Sequence, residues 1–238
     1  MERLDKFAAS QTSLSRSQVR KAVKDGRLRL NGKICKSADI KLDPENDEIT
    51  LDGARIVYRK HLYIMMNKPG GVLSASNDKK ARTVIDLLPD NLRREGLFPA
   101  GRLDKDTTGL LIITDDGDFA HNILSPKKHV YKIYKANLSG EVTDETVAAF
   151  EKGIVFSDGT KCLPAQLWCE ENEPKSTAYV KIREGKFHQV KKMFLVCGLS
   201  VTALKRIQIG KLLLDANLAE GEARELNFCE LSLIQDGD

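Results

Sequence analysis

The sequence predicts an α+β protein in two parts. A small basic N-terminal domain precedes a larger one with a mixed, mostly antiparallel sheet and flanking helices. Three observations carry this. Residues 1–52 hold two amphipathic helical patterns followed by short strand patterns joined at Asn31-Gly32. From Leu62 onward, short apolar runs separated by Gly, Pro and Asp alternate with helical patterns, without the regular spacing of βαβ units. The charge is also uneven. Residues 1–40 carry ten Lys/Arg and four Asp/Glu, a net of +6, whereas the remainder carries 28 basic and 30 acidic residues.

The elements follow in order. Residues 3–9 place Leu4, Phe7 and Ala8 on one helical face. Ser15 is a suitable N-cap for a second helix, Arg16 to Lys24, ended by Asp25-Gly26. Short strands are expected at Arg27–Leu30, Lys33–Cys35 and Asp47–Asp52, the first two closing a hairpin because Asn-Gly accepts positive φ. Residues 53–61 read as a linker or an edge strand. The larger domain, 62–238, is expected to place strands at Tyr63–Met66, Leu110–Ile113, His129–Leu138, Ala178–Ile182, Val201–Ile209 and Leu226–Ile234. Helices are expected near Thr83–Leu88, Phe119–Leu124, Asp144–Lys152 and Phe187–Val196, with Phe187, Val190 and Phe194 on a core-facing stripe.

Composition narrows the function classes. At 238 residues, 41% hydrophobic and 30% charged, the chain matches a soluble globular protein. It has no apolar run of membrane-spanning length, and its first residues lack an apolar signal region, so a cytoplasmic location is expected. Five scattered cysteines without a C-x-x-C pair point away from metal or disulfide use and towards buried, inert thiols. The basic N-terminal module points to an anionic polymer, most simply nucleic acid.

Four segments carry the candidate chemistry. Gly101-Arg102-Leu103-Asp104-Lys105-Asp106-Thr107-Thr108-Gly109-Leu110 sets a carboxylate at the mouth of a buried strand. There it can be desolvated and aimed as a nucleophile or base. Asn67-Lys68-Pro69-Gly70-Gly71 is a rigid turn whose glycines permit close backbone approach. Lys132-Ile133-Tyr134 puts Lys132 and Tyr134 on one face of a strand. Glu184-Gly185-Lys186-Phe187-His188-Gln189-Val190-Lys191-Lys192-Met193 reads as strand, turn and helix. Asp115, Asp116 and Asp118 fail the calcium-loop spacing and read as a strand-ending turn. Asp104 with Asp106 on magnesium would need a phosphate loop that the sequence lacks.

Two resemblances follow from these residues. Arg3-Leu4-Asp5-Lys6, Ser15-Arg16-Ser17 and Gly26 with Asn31-Gly32 resemble the αL RNA-binding motif over about residues 1–50. That resemblance implies RNA contacts at Arg16, Arg20, Lys21 and Lys24, with Arg3 beside them. The four segments, in this order, resemble the RsuA-type pseudouridine synthases, which isomerise uridines in bacterial ribosomal RNA. The resemblance implies Asp104 as the catalytic carboxylate and Tyr134 as the ring that stacks on the base. It implies Lys191 as the cation paired with Asp104, and Arg102 as the residue that helps displace the nucleotide. Lys68, His188 and Gln189 are then expected to touch RNA.

The expected function is conversion of a specific uridine to pseudouridine without metal or cofactor. The partner is ribosomal RNA or an assembling ribosomal subunit, met by a monomer. The chain ends soon after its last apolar run without a basic tail, which favours small-subunit (16S) over large-subunit (23S) rRNA. A non-catalytic RNA-binding or ribosome-assembly protein would account for the basic module, and a magnesium-dependent phosphoryl-transfer enzyme for Asp104 and Asp106.

Overall fold

The structure, a computed structural model, describes residues 1–125, 128 and 130–235. The N-terminal part runs β1 (Glu2–Arg3), α1 (Leu4–Gln11), α2 (Arg16–Lys24), β2 (Leu28–Leu30), β3 (Lys33–Ile34), β4 (Lys41–Leu42), β5 (Ile49–Leu51) and β6 (Ala54–Arg55). Helix α2 starts where the sequence places it. Ser15 accepts a bond from the Gln18 amide, and the Gln18 side chain returns one to the Ser15 amide, so two orphan donors of the first turn are satisfied. Asn31 and Gly32 adopt φ of 49° and 79°, closing the β2–β3 hairpin as expected. The small sheet has the order β3-β2-β5-β6, so residues 53–61 begin as an edge strand. Leu4, Phe7, Val19, Leu28, Leu42 and Ile49 form its core.

The larger part runs β7 (Tyr63–Lys68), β8 (Phe98–Pro99), β9 (Thr108–Thr114), α3 (Gly117–Leu124), β10 (Lys132–Leu138), α4 (Asp144–Lys152), β11 (Gln166–Trp168), β12 (Thr177–Ile182), α5 (Gln189–Val196), β13 (Val201–Ile209), β14 (Leu212–Leu213), β15 (Ala223–Glu225) and α6 (Phe228–Gln235). Among the described residues these strands form one nine-stranded sheet with the main order β11-β12-β10-β13-β9-β7-β15. Every pairing is antiparallel except β13 with β9, which makes the sheet mixed. Strand β9 is covered on both faces: Leu110 and Ile112 enter one core, Leu111 and Ile113 the other. A strand buried on both sides needs a continuous apolar run rather than alternation. Gln11 Oε1 joins the two parts, accepting from the Arg59 amide and from Arg94 Nη1.

Several expectations are corrected. Leu226–Ile234 is not a strand: α6 occupies Phe228–Gln235, and Asn227 and Glu230 exchange backbone–side-chain bonds at its start. The Thr83–Leu88 helix is a single 3₁₀ turn, Ile85–Leu87. The strand expected from His129 begins at Lys132, and His129 lies outside the described residues. Helix α5 begins at Gln189, and Phe187 is 73% exposed rather than in the core. Of the five free cysteines only Cys35 and Cys162 are buried. No helix among the described residues is long and apolar enough to cross a membrane.

Candidate active site

The loop carrying Asp104 is held from below. Asp104 O accepts from the Thr107 amide in a tight turn just before β9. Ser74 clamps the preceding residue: its hydroxyl donates to Leu103 O at 2.9 Å and accepts from Leu103 N at 3.1 Å. Lys68, at the end of β7, is fully enclosed. Its ammonium donates to Pro69 O at 2.9 Å, Lys105 O at 3.2 Å and Thr107 O at 2.9 Å. Burial pushes its pKa down to about 8. The expected RNA contact at Lys68 is therefore corrected: an enclosed ammonium cannot reach a phosphate, and this one ties down the Asp104 loop. Gly71, with φ of 82°, brings its amide within 2.8 Å of Lys105 O, so the glycine turn approaches the same loop.

Above the loop, the half-buried Asp104 carboxylate faces an ammonium and an imidazole from the α5 region. Lys191 Nζ lies 3.4 Å from Oδ2, and His188 Nε2 lies 3.5 Å from Oδ1. Lys191 bonds more closely to Asp106, at 2.6 Å, and that bond holds the Asp106 carboxyl below its usual range. Asp106, set aside on sequence grounds, is thus the tighter partner of the cation. Lys191 stands between the two carboxylates.

Tyr134 on β10 and the exposed Arg102 complete the wall. Arg102, Asp104, Thr107, Tyr134, His188 and Gln189 line one cavity of about 70 Å³. Gln189 is buried, bonding the Lys186 amide through Oε1 and Glu184 through Nε2, so its polar atoms are engaged within the protein. It braces the turn before α5 from inside. His188 is half-exposed and holds a left-handed φ of 54°, a costly conformation for a non-glycine residue that concentrates at functional sites.

Sequence reasoning missed Arg206. This buried residue of β13 donates from Nε to Leu110 O at 2.8 Å and from Nη1 to the Tyr134 hydroxyl at 3.4 Å, with its guanidinium 5.9 Å from the Tyr134 ring centre. It links the Asp104 strand to the Tyr134 strand. Gly109 allows this: a Cβ there would sit 2.2 Å from Arg206 O, so only glycine lets β9 and β13 approach. Lys132, on the Tyr134 face as expected, is buried, bonded to Ile123 O and Val130 O, and lowered to about 8 chiefly by burial. Among the described residues, no group of three or more His, Cys, Asp or Glu is placed to hold a metal ion.

In the N-terminal part, Arg16, Arg20, Lys21 and Lys24 all lie on the exposed side of α2. Arg3 and Arg20 both grip the buried Asp5 carboxylate, at 3.0 and 3.2 Å, which orients them while leaving half of each side chain exposed. With Lys24 and Lys36 they line a groove of about 340 Å³. A second cavity, about 240 Å³, lies between the two parts and has Arg55, Arg59, Arg93 and Arg94 in its wall. Its lining contains no carboxylate.

A basic helical module joined to a mixed sheet, with a carboxylate, a cation and an aromatic ring in one cleft, defines an RNA-modifying enzyme. The chain belongs to the RNA pseudouridylate synthase family, whose sequence model matches residues 62–195; the S4 domain matches residues 2–49. It is a pseudouridine synthase, an isomerase, with an N-terminal RNA-binding S4 domain. It is 44% identical to an uncharacterized RNA pseudouridine synthase of Bacillus subtilis (strain 168), over 98% of both chains. It is 39% identical to ribosomal small subunit pseudouridine synthase A of Escherichia coli (strain K12), over 98% of this chain and 99% of that one. A crystal structure of a pseudouridylate synthase superposes with a TM-score of 0.68 at 36% identity, covering 98% of this chain and 100% of the other.

Proposed function

We propose that the protein converts one uridine of small-subunit (16S) ribosomal RNA to pseudouridine, with Asp104 as the nucleophile. The observation that carries this reading is the Asp104 carboxylate, set between Lys191 and His188 in the cleft that Tyr134 walls. The near-full-length likeness to a small-subunit enzyme supports the choice of RNA.

The reaction breaks the N1–C1′ bond, turns the uracil and joins C5 to C1′; C5 gives up a proton and N1 gains one. Nothing is oxidised and no group is donated from outside, so this reading calls on no metal or cofactor. Asp104 supplies the carboxylate that traps the freed sugar or ring. Lys191 offers that carboxylate a counter-charge as substrate excludes water, where an unpaired charge would be costly. When it does so, Lys191 turns from Asp106 towards Asp104. Tyr134 holds the flat base by stacking, worth roughly 1–3 kcal/mol per base, without fixing its rotation. Arg102, exposed at the rim, takes the space left by the displaced nucleotide. Residues 1–52 hold the RNA through Arg3, Arg16, Arg20, Lys21 and Lys24, and residues 62–238 carry the chemistry. The enzyme works as a monomer in the cytoplasm, on rRNA or an assembling subunit.

The test is position mapping of pseudouridine in rRNA from cells with and without the gene. Loss of one small-subunit site is expected. Loss of a large-subunit site instead would reassign the substrate, and an unchanged map would overturn the reading.

A further inference from the structure

The rim of the cleft carries an aromatic ring that the core does not use. Phe187 is 73% exposed, in the turn between β12 and α5. Its ring lies against the His188 ring, with centroids 3.8 Å apart and planes within 19°. The left-handed backbone at His188 accompanies this face-to-face pairing of consecutive side chains. Lys192 Nζ stands 5.2 Å from the Phe187 ring centre, and His188 Nε2 stands 3.5 Å from Asp104. An exposed aromatic is therefore fixed two contacts from the reactive carboxylate, with the Lys192 ammonium on its flank.

Leaving a phenyl ring in water forgoes the stabilisation its burial would bring. A surface that combines such a ring with an ammonium matches a single-stranded nucleic acid, which offers flat bases and phosphates together. A second apolar protein would be met by a wider apolar patch without the ammonium beside the ring.

We propose that the Phe187–His188 pair is a stacking platform for a second unpaired base, the nucleotide adjoining the target uridine. This rests on the RNA reading above and adds to it. The substrate is a segment with at least two bases out of the helix, one on Tyr134 and its neighbour on Phe187. The neighbour holds the strand in register while the target base turns, so the platform acts on binding rather than on the bond-making step.

The test compares the full-length enzyme with its Phe187→Ala, Phe187→Leu and Phe187→Trp variants. One readout is the quenching of 2-aminopurine placed next to a uridine in a single-stranded RNA oligonucleotide. The other is KM and kcat for pseudouridine formation in small-subunit rRNA transcribed in vitro. We expect wild type and Phe187→Trp to quench, and Phe187→Ala and Phe187→Leu to lose most of the quenching. Both of the latter should raise KM about tenfold, the size of one base stack, with kcat changed less than about twofold. Quenching and KM at wild-type levels in Phe187→Ala would overturn the proposal. So would full retention in Phe187→Leu, which would mark an apolar contact without stacking. If wild type makes no pseudouridine in any rRNA, the functional reading fails, while the quenching series still decides whether the ring stacks on a base.

Discussion

Replacing Lys68 by Met separates two roles for a lysine in a signature segment: gripping RNA, or holding the catalytic loop. The structure supplies both sides of the energy comparison. The gap between a pKa of about 8 and the ordinary 10.5 corresponds to roughly 3 kcal/mol of burial cost, which Met removes. Met also removes three hydrogen bonds. Lys105 O keeps the Gly71 amide at 2.8 Å, but Pro69 O and Thr107 O lose the ammonium, at about 1–3 kcal/mol for each acceptor left unsatisfied. The terms nearly cancel, so stability at pH 7 should change by less than about 3 kcal/mol. Activity should not be spared, because the loop loses its tie next to Asp104 and misplacement by an ångström can cost about 100-fold. We expect kcat to fall about 10- to 100-fold. RNA affinity and its salt dependence should stay unchanged, because an enclosed ammonium releases no counterions. The pH dependence has a definite sign. The native pKa lies below the unfolded one, so unfolding takes up a proton between about pH 8 and 10.5, and wild-type stability relative to Lys68→Met rises over that range. Stopped-flow pseudouridine assays, salt titrations of RNA binding and urea melts at pH 7 and 10 measure these quantities. A variant with normal kcat, weaker RNA binding and a salt slope reduced by about one would refute the reasoning.

Three further predictions concern how the site is held. Gly109→Ala places a Cβ 2.2 Å from Arg206 O at a φ of +99°, so it should cost about 3 kcal/mol or more and lower Tm by on the order of 10 °C; a Tm within about 2 °C of wild type would contradict the close approach of β9 and β13. Arg206→Met should lower kcat about tenfold by releasing Tyr134, with partial recovery in Arg206→Lys, and an unaltered kcat would show that Tyr134 needs no support from β13. Asp5 is held at about 2, first by its bond to Arg3 and then by Arg20, against an unfolded value of 3.8. Its contribution, on the order of 1–2 kcal/mol after allowance for solvent around the arginines, should be complete above about pH 4 and lost as pH falls through about 2. Urea melts of wild type and Asp5→Asn should therefore converge at low pH, and a constant separation would argue against the pairing.

Much of this was legible in the chain, for reasons visible in particular residues. Ser15 with Gln18 and Asn31-Gly32 act through local geometry, so the N-terminal helix and hairpin could be read directly. Asp104, Tyr134 and Lys191 come from three separate segments, and only the resemblance to the RsuA-type synthases linked them before any distance was known. What stayed hidden depends on contacts between distant strands. Arg206 meets Leu110 across 96 residues through a parallel pairing that nothing local encodes. Lys68 reads as a surface charge until its strand is seen to end beneath the Asp104 loop. The apolar period from Phe187 to Phe194 suggested one helix, but the left-handed residue at 188 breaks it and turns Phe187 outward. The run Leu226–Ile234 is short enough to fit either a strand or a helix; the Asn227–Glu230 pair was the available signal for the helix.

The central claim is that Asp104 performs the chemistry. Its most direct measurement uses ribosomal RNA labelled with tritium at uracil C5, incubated with wild type and Asp104→Asn at enzyme excess. The account predicts stoichiometric tritium release by wild type and none above background by Asp104→Asn, with RNA affinity within a few-fold of wild type. Release by Asp104→Asn at a rate near that of wild type would contradict it.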